Sequence, residues 1–451
     1  MRKIRIGSGA GFAGDRIDPA IDLIKYGNLD YIGFECLAER TIALAVRQKM
    51  NNPDEGYNDL LEERFRLILP AMQGSKVKII TNMGAANPQA AAAKVAEIAR
   101  SLNISGVRIA AVTGDDVLAL LPRMLELPVL ETGQPLCACE GKIISANAYN
   151  GIDGILEALR RGANIIITGR VSDPALFLAP IVHEFGWTSD NWQLLGQGTV
   201  AGHLLECAAQ VTGGYFADPG VKDVPDLWAV GFPIVEISPN GGFTLSKLPG
   251  SGGLVSTATV TEQLLYEILD PKAYLTPDVI ADFSQVQINQ VGPDMVQVRG
   301  GSGTAPSGQL KVSVGLDEGF IGEGEISYGG PGAAARARLA GEIIRKRIEY
   351  RQIPVRELRI DLLGLHSLYP YEMTRKLSNY VDDGHEIRLR VAAGTVDRRA
   401  AAAVGNEVEA LYLNGPAGGG GARKYIRPVV GVLSVLIPKT WVQCQVKLLE
   451  V

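Results

Sequence analysis

The feature that most constrains the fold is an alternation of short apolar runs with helical patterns over about the first 217 residues. One unit begins with the strand pattern Lys76–Ile80, after which Asn87 and Pro88 supply residues that favour the start of a helix. Another unit has a helical stripe that stops at Gly162 and then the run Ile165–Ile167. Repeated strand–helix–strand units predict an α/β fold, with a mostly parallel sheet and helices on both of its faces.

The pattern changes to hairpins between residues 220 and 330. Asn240 and Gly241 form a strong tight-turn pair between two strand patterns in this segment. We interpret the segment as an antiparallel extension of a first domain that comprises residues 1–350. Strand and helix patterns in residues 351–451 predict a second, small C-terminal α+β domain.

Composition and charge favour an ordinary globular protein. The chain has 451 residues, 46% of them hydrophobic and 21% charged, and a formal charge of −5 without a dense basic block. We therefore expect no nucleic-acid and no membrane partner. Five scattered cysteines suit a reducing compartment, and the longest apolar run is too short to cross a bilayer, so we expect a cytoplasmic protein. With only four histidines we expect no multi-histidine metal centre and assign no metal ligands, while paired Asp or Glu ligands for magnesium stay open. We also expect a homo-oligomer that binds a small-molecule substrate.

The first glycine-rich loop follows a predicted strand directly. Gly9, Gly11 and Gly14 have the spacing of a dinucleotide-binding fingerprint. Glu35 ends the next strand, about where a ribose-binding acid would lie. Asp15, however, would place a carboxylate where the pyrophosphate should bind. Nicotinamide binding, contact with another ligand and a purely structural turn all remain open.

The loop after the apolar run Ile165–Ile167 contains Gly169, Arg170 and Asp173. Ligands of open parallel sheets bind beyond the carboxyl ends of the strands, so these residues are candidates for holding a substrate. Arg170 could bind a carboxylate or a phosphate, and Asp173 could transfer a proton or orient the arginine. The alternative is a helix cap at Ser172 or Asp173, followed by Pro174.

A third group consists of His203, Glu206 and Cys207, whose spacing places them on one flank of a predicted helix. It combines a base of near-neutral pKa, a carboxylate and a potential thiolate. The alternative for Cys207 is a packed core residue. This group ends at Thr212, Gly213 and Gly214, which are further candidates for ligand binding, as are Gly252 and Gly253 in a later glycine stretch.

Together these motifs resemble the acyclic terpene utilisation protein AtuA family. The resemblance covers roughly residues 3–330 and is carried by GSGAGFAGD, NMGAANP, ANAYNGIDGILEALRRGANIIITGRVSDPAL, GHLLECAAQVTGGYFADPG and GSGGLVSTATVTEQLLYEILDP. The family name comes from bacterial gene clusters that degrade citronellol and geraniol through CoA thioesters. The resemblance therefore implies a metabolic setting and no particular reaction. The last hundred residues resemble an extra domain of longer members, which suggests a subunit-like role.

We expect an enzyme that acts on a small acyl-CoA or branched carboxylic acid, as a lyase or hydratase using acid–base catalysis and no redox cofactor. Arg170 would hold a carboxylate or phosphate, Asp173 and Glu206 would transfer protons, and His203 would orient or assist. Cys207 as a nucleophile is the competing mechanism. Two other functions remain open: a nicotinamide-dependent oxidoreductase, and a non-catalytic subunit of a CoA-using enzyme.

Overall fold

The computed structural model describes residues 2–367, 372–373 and 386–451. The chain divides into two compact units, of which the first contains the residues up to 315 together with 432–451 and the second contains 316–431. This division differs from the predicted boundary after residue 350. The reason is that two long strands each contribute residues to both units, so the chain passes from one unit to the other within strands and not at a linker.

The strands, in chain order, are β1 Ile4–Ala10, β2 Tyr31–Phe34, β3 Lys78–Thr81, β4 Arg108–Thr113, β5 Lys142–Ala148, β6 Ile165–Thr168, β7 Pro233–Ile237, β8 Phe243–Lys247, β9 Tyr274–Leu275, β10 Ile280–Asp282, β11 Gln287–Gly292, β12 Met295–Arg299, β13 Ser302–Thr304, β14 Gln309–Gly329, β15 Val355–Leu363, β16 Glu386–Thr395, β17 Gly419–Pro438 and β18 Gln445–Glu450. The helices are α1 Asp18–Tyr26, α2 Glu39–Asn51, α3 Leu61–Met72, α4 Pro88–Ser101, α5 Leu121–Met124, α6 Asp153–Arg160, α7 Ala175–Phe185, α8 Trp192–Glu206, α9 Thr257–Leu265, α10 Ala333–Tyr350 and α11 Arg398–Asn414.

A ten-stranded mixed sheet, of order β11-β12-β8-β7-β1-β2-β3-β6-β4-β18, forms the centre of the first unit. Strands β1, β2, β3, β6 and β4 pair in parallel, each with the next. On one side the predicted hairpin strands continue the same sheet, because β7 pairs antiparallel with β1. The turn between β7 and β8 contains Gly241 at a φ of +84°, as the Asn-Gly pair predicts. The mixed α/β class is thus confirmed.

Helices cover both faces of the parallel strands. Successive side chains of a strand point to opposite faces. Ile80 therefore packs into a core shared with α6, α7 and α8, whereas its neighbour Ile79 packs into a second core shared with α1, α3 and α4. The predicted helix start at Asn87 is also confirmed, since its side chain accepts the Ala90 N–H and Pro88 is the first helical residue.

The second unit contains strands in the order β15-β16-β14-β17, and α10 and α11 share one hydrophobic core with them. The strands and helices given above for this unit follow one another as strand–helix–strand–strand–helix–strand, the order of a split βαβ fold. The sequence pattern predicts the strand β18 to be part of a C-terminal domain, but β18 pairs with β4 of the first unit. Among the described residues, no helix has the length and apolar character needed to span a membrane.

Candidate acid–base site

Four buried polar side chains follow four neighbouring parallel strands. Glu35 and Asn82 come directly after β2 and β3, and Asp115 and Arg170 come two residues after β4 and β6. Each of them is less than 10% exposed. Because the carboxyl ends of parallel strands meet at one edge of a sheet, the fold gathers these groups where α/β proteins bind ligands.

Arg170 lies at the centre of this cluster and is only 1% exposed. Its Nη1 donates to the Leu37 carbonyl and its Nη2 to the Asp173 carboxylate. Its guanidinium carbon lies 4.1 Å from the centre of the Tyr149 ring. Nε has no hydrogen-bond partner among the described residues. The guanidinium that the sequence suggested for a substrate carboxylate is therefore largely engaged by protein groups, and its main partner is Asp173.

The carboxyl groups of Glu35 and Asp173 both have raised pKa values. Burial is the main cause for each of them. The positive charge of Arg170 opposes the rise, but Glu206 adds to it for both groups, and Glu35 also adds to it for Asp173. Glu35 keeps a fixed orientation, because it accepts hydrogen bonds from the Leu37 N–H at 2.8 Å and from Asn82 Nδ2 at 2.9 Å.

His203 and Glu206 form a buried pair on α8. Nδ1 of His203 lies 2.8 Å from Oε1 of Glu206, and Nε2 lies 3.0 Å from the Gln263 carbonyl. A carbonyl only accepts, so Nε2 carries a hydrogen, and Nδ1 forms an ion pair with the carboxylate when the ring is protonated. Burial alone would lower the pKa of His203, but Glu206 and the carbonyl outweigh it and raise this pKa. Oε2 of Glu206 is buried and unpartnered among the described residues.

Aromatic rings enclose this pair. The ring centres of Tyr274 and Phe283 lie 5.5 and 5.4 Å from that of His203. Burial, together with the negative charges of Glu206 and Asp173, raises the pKa of the Tyr274 hydroxyl well above its ordinary value. The hydroxyl therefore stays neutral at physiological pH and can act as a hydrogen-bond donor.

Several residues of the site were not predicted from the sequence. Asn82 and Asp115 follow strands in the same way as Glu35 and Arg170, so the tendency of ligands to bind beyond the carboxyl ends of parallel strands could have identified them. Asp115 accepts the Arg170 N–H at 3.0 Å, and burial raises its pKa to about 6. Tyr149, which donates to Glu39, carried no recognisable motif. Gly169 has a packing role, since a Cβ there would lie 2.4 Å from the Asp115 carboxylate.

The first glycine loop is filled by protein atoms. A Cβ on Gly9 would lie 2.5 Å from the Phe34 ring, and one on Gly11 would lie 2.5 Å from the backbone of Cys207. Oδ2 of Asp15 accepts the Gly11 N–H at 2.8 Å, which occupies a donor that a pyrophosphate would need. A Cβ on Gly14 would approach the Phe12 ring to 3.1 Å. These contacts favour the structural-turn interpretation of the loop.

The later glycine candidates pack against nearby backbone. A Cβ on Gly252 would lie 2.0 Å from the Asp226 carbonyl oxygen, and one on Gly253, whose φ is +92°, would lie 2.6 Å from the Thr212 carbonyl oxygen. The Thr212 hydroxyl donates to the Gly231 carbonyl at 2.6 Å. The two remaining candidates also have protein neighbours within about 3 Å of such a Cβ, namely Gly213 and Gly214.

Cys207 caps the end of α8 and is partly buried. Burial raises the pKa of its thiol well above the ordinary value, and the adjacent charge of Glu206 raises it further. A thiolate is therefore disfavoured, and this environment favours the packing interpretation over a nucleophile. Within the part of the chain that the structure describes, no three His, Cys, Asp or Glu side chains form a group that could hold a metal ion.

These features define an α/β protein with a buried cluster of acids and bases at the carboxyl edge of its parallel strands. A family model described as acyclic terpene utilisation family protein AtuA matches residues 4–448, so the chain belongs to this family, which indicates a role in acyclic terpene utilisation. The predicted resemblance is confirmed, and the match continues beyond residue 330 through the second unit. No curated protein and no solved structure matches the chain.

Proposed function

We propose that this protein is an enzyme of lyase or hydratase type, which adds or eliminates water on a small acyl-CoA or branched carboxylic acid by acid–base catalysis. The observation that carries the proposal is a charge imbalance. Three carboxyl groups, the buried Glu35 and Glu206 and the partly buried Asp173, lie with two basic groups, Arg170 and His203. An excess negative charge in a buried site is costly, so this arrangement favours one carboxyl that keeps its proton near neutral pH.

Asp173 is the proposed general acid and Glu206 the proposed general base. Asp173 is the more accessible of the two, with a side chain 35% exposed, and its pKa is raised. Glu206 has its Oε2 atom free among the described residues, while Oε1 is held by His203. A raised pKa on the group that donates the proton and a carboxylate oxygen without a partner on the group that accepts it are what acid–base catalysis requires.

These two carboxyl groups carry out both proton transfers of the elimination. Glu206 Oε2 takes a proton from the carbon next to the carbonyl, and Asp173 gives its proton to the leaving hydroxyl, which departs as water as the carbon–carbon double bond forms. Protonated His203 stabilises the Glu206 carboxylate before it accepts the proton. Arg170 orients Asp173 and stabilises its anion after the proton has left. Addition of water runs through the same groups in reverse.

Deuterium exchange tests the proposal without knowledge of the physiological substrate. The full-length protein is incubated in D2O with a panel of branched acyl-CoA thioesters and free branched acids, and mass spectrometry follows deuterium at the carbon next to the carbonyl. We expect exchange with at least one compound. Asp173→Asn should lower the rate of water addition or elimination, and Glu206→Gln should lower the rate of exchange, by about 10²–10⁴-fold each. The exposed Glu62→Gln, a matched control, should retain the wild-type rate.

Two outcomes would contradict the proposal. Tight CoA binding without exchange or turnover on the whole panel would favour the non-catalytic subunit. Cys207→Ser should keep most of the activity, because the thiol is not used. A folded but inactive Cys207→Ser, with both amide variants active, would replace the acid–base mechanism by a nucleophilic one.

A further inference from the structure

A polar cavity of about 460 Å³ lies beside α6 in the first unit. Asp153 and Lys439 line it and form an ion pair with a distance of 3.1 Å. The same two residues line a neighbouring recess of about 530 Å³. The pair is therefore accessible from two sides, and neither space is used by the proposed acid–base chemistry.

The charges around this cavity balance. Its lining contains the acids Asp153 and Glu157 and the bases Arg161 and Lys439. Glu157 and Arg161 are only loosely paired, with 3.9 Å between their charged atoms, and their side chains are 51% and 41% exposed. A ligand with a large net charge, such as the phosphates of CoA, gains little from a balanced lining. A small molecule with one ammonium and one carboxylate can match both signs at once.

Asn150 adds a polar side chain to the lining. This residue is 5% exposed overall, and it borders the cavity. A carboxamide offers two donors and an acceptor. A polar ligand in the cavity can therefore form hydrogen bonds with Asn150.

The backbone of Asn150 connects the cavity to the acid–base site. Its N–H donates to the Arg170 carbonyl at 3.3 Å, and its carbonyl accepts the Ser172 N–H at 2.8 Å. The residue before it, Tyr149, stacks on Arg170. A ligand that fixes Asn150 therefore also fixes the loop that carries Arg170 and Asp173.

We propose that this cavity is an effector site for a small zwitterion of the α-amino acid type, and that its occupancy orders the loop from Arg170 to Asp173. The ligand carboxylate pairs with Lys439 and Arg161, its ammonium pairs with Asp153 and Glu157, and Asn150 hydrogen-bonds to one end. Binding is measured directly in the test below, so its result does not depend on the proposed reaction.

The test uses three probes of similar size: alanine, propionate and isopropylamine. Saturation-transfer NMR with the full-length protein should show millimolar binding of alanine, and binding of the two singly charged probes at least about tenfold weaker, because each leaves one sign of the lining unmatched. Hydrogen exchange of the Ser172 amide should slow when alanine is added. Equal binding of all three probes, binding of propionate alone, or no binding of alanine would overturn the proposal.

Two variants and a control complete the test. Lys439→Met and Asn150→Leu should each weaken alanine binding about tenfold or more. Lys76→Met removes a lysine from a comparable ion pair, with 3.2 Å to Asp30, and should bind alanine as the wild type does. Because Asn150→Leu alters a buried position, Lys439→Met decides the result if Asn150→Leu fails to fold. Unchanged binding by folded Lys439→Met would overturn the proposal.

Discussion

Substitution of Gly11 by alanine separates a structural loop from a ligand-binding loop. The new Cβ would lie 2.5 Å from the carbonyl carbon of Cys207, 2.7 Å from its oxygen and 2.8 Å from its Cα. Ordinary contacts of a Cβ begin near 3.4 Å, so the two segments must separate by about 0.9 Å (3.4 − 2.5). Neither side can relieve the overlap by rotating a side chain, because the neighbouring atoms belong to the backbone.

The cost should therefore lie near the upper end for overpacking, about 3 kcal/mol. In a unit of this size such a loss lowers the melting temperature by roughly 3–6 °C. Differential scanning calorimetry measures the shift. Gly242→Ala is the matched control, since the nearest atom to its Cβ would be 3.5 Å away, and it should melt within about 1 °C of the wild type.

Isothermal titration with NAD completes the experiment. We expect no binding to the wild type, because Asp15 already accepts the loop N–H. The reasoning would be refuted if Gly11→Ala melted like the Gly242→Ala control. It would also be refuted if the wild type bound NAD and Gly11→Ala lost that binding at unchanged stability.

Further predictions concern the second unit and two buried titratable groups. A fragment of residues 316–431 should unfold cooperatively in a thermal circular dichroism scan, and one of residues 353–451, which lacks β14 and α10, should not. His203 has a raised pKa in the folded state, so its stabilising effect is complete below pH 6.5 and is lost as the pH rises through the folded pKa. The free energy of unfolding of His203→Gln, measured in urea, should therefore fall furthest below that of the wild type in acid. Burial raises the pKa of Asp115 to about 6, so the wild type should lose stability as the pH rises from about 4 to 6. Asp115→Asn should lose less stability over the same rise in pH.

The parallel part of the fold could be predicted from the sequence because the patterns that specify its strands and helices are local. The run Ile165–Ile167 and the cap at Asn87 each specify an element within a few residues, and the structure confirms both. The division between the two units, which falls within β14 and β17 and not after residue 350, could not be found in this way. It depends on which distant strands pair, and β14 and β17 each continue from one unit into the other without a break in composition.

Only part of the candidate site could be predicted from the sequence, for a related reason. Arg170 and Glu35 follow strands, so the topology predicts their gathering at one edge. Whether Arg170 faces a ligand or a protein carboxylate depends on packing in three dimensions, and Asp173 turns out to be its partner. The glycines of the first loop show the same limit, since close packing and phosphate binding both require a residue without a side chain.

The pairing of β18 with β4 has a consequence for synthesis of the chain. The bond between Arg108 and Glu450 joins residues 342 positions apart, so β4 gains its partner on that side only after a long stretch of further chain has been synthesised. Until then, β4 presents unpaired backbone groups while the second unit is still being made. Such unpaired groups invite pairing with another nascent chain. Messages that end before the codons for β18 would therefore yield proteins prone to aggregation, even with every residue of the candidate site in place.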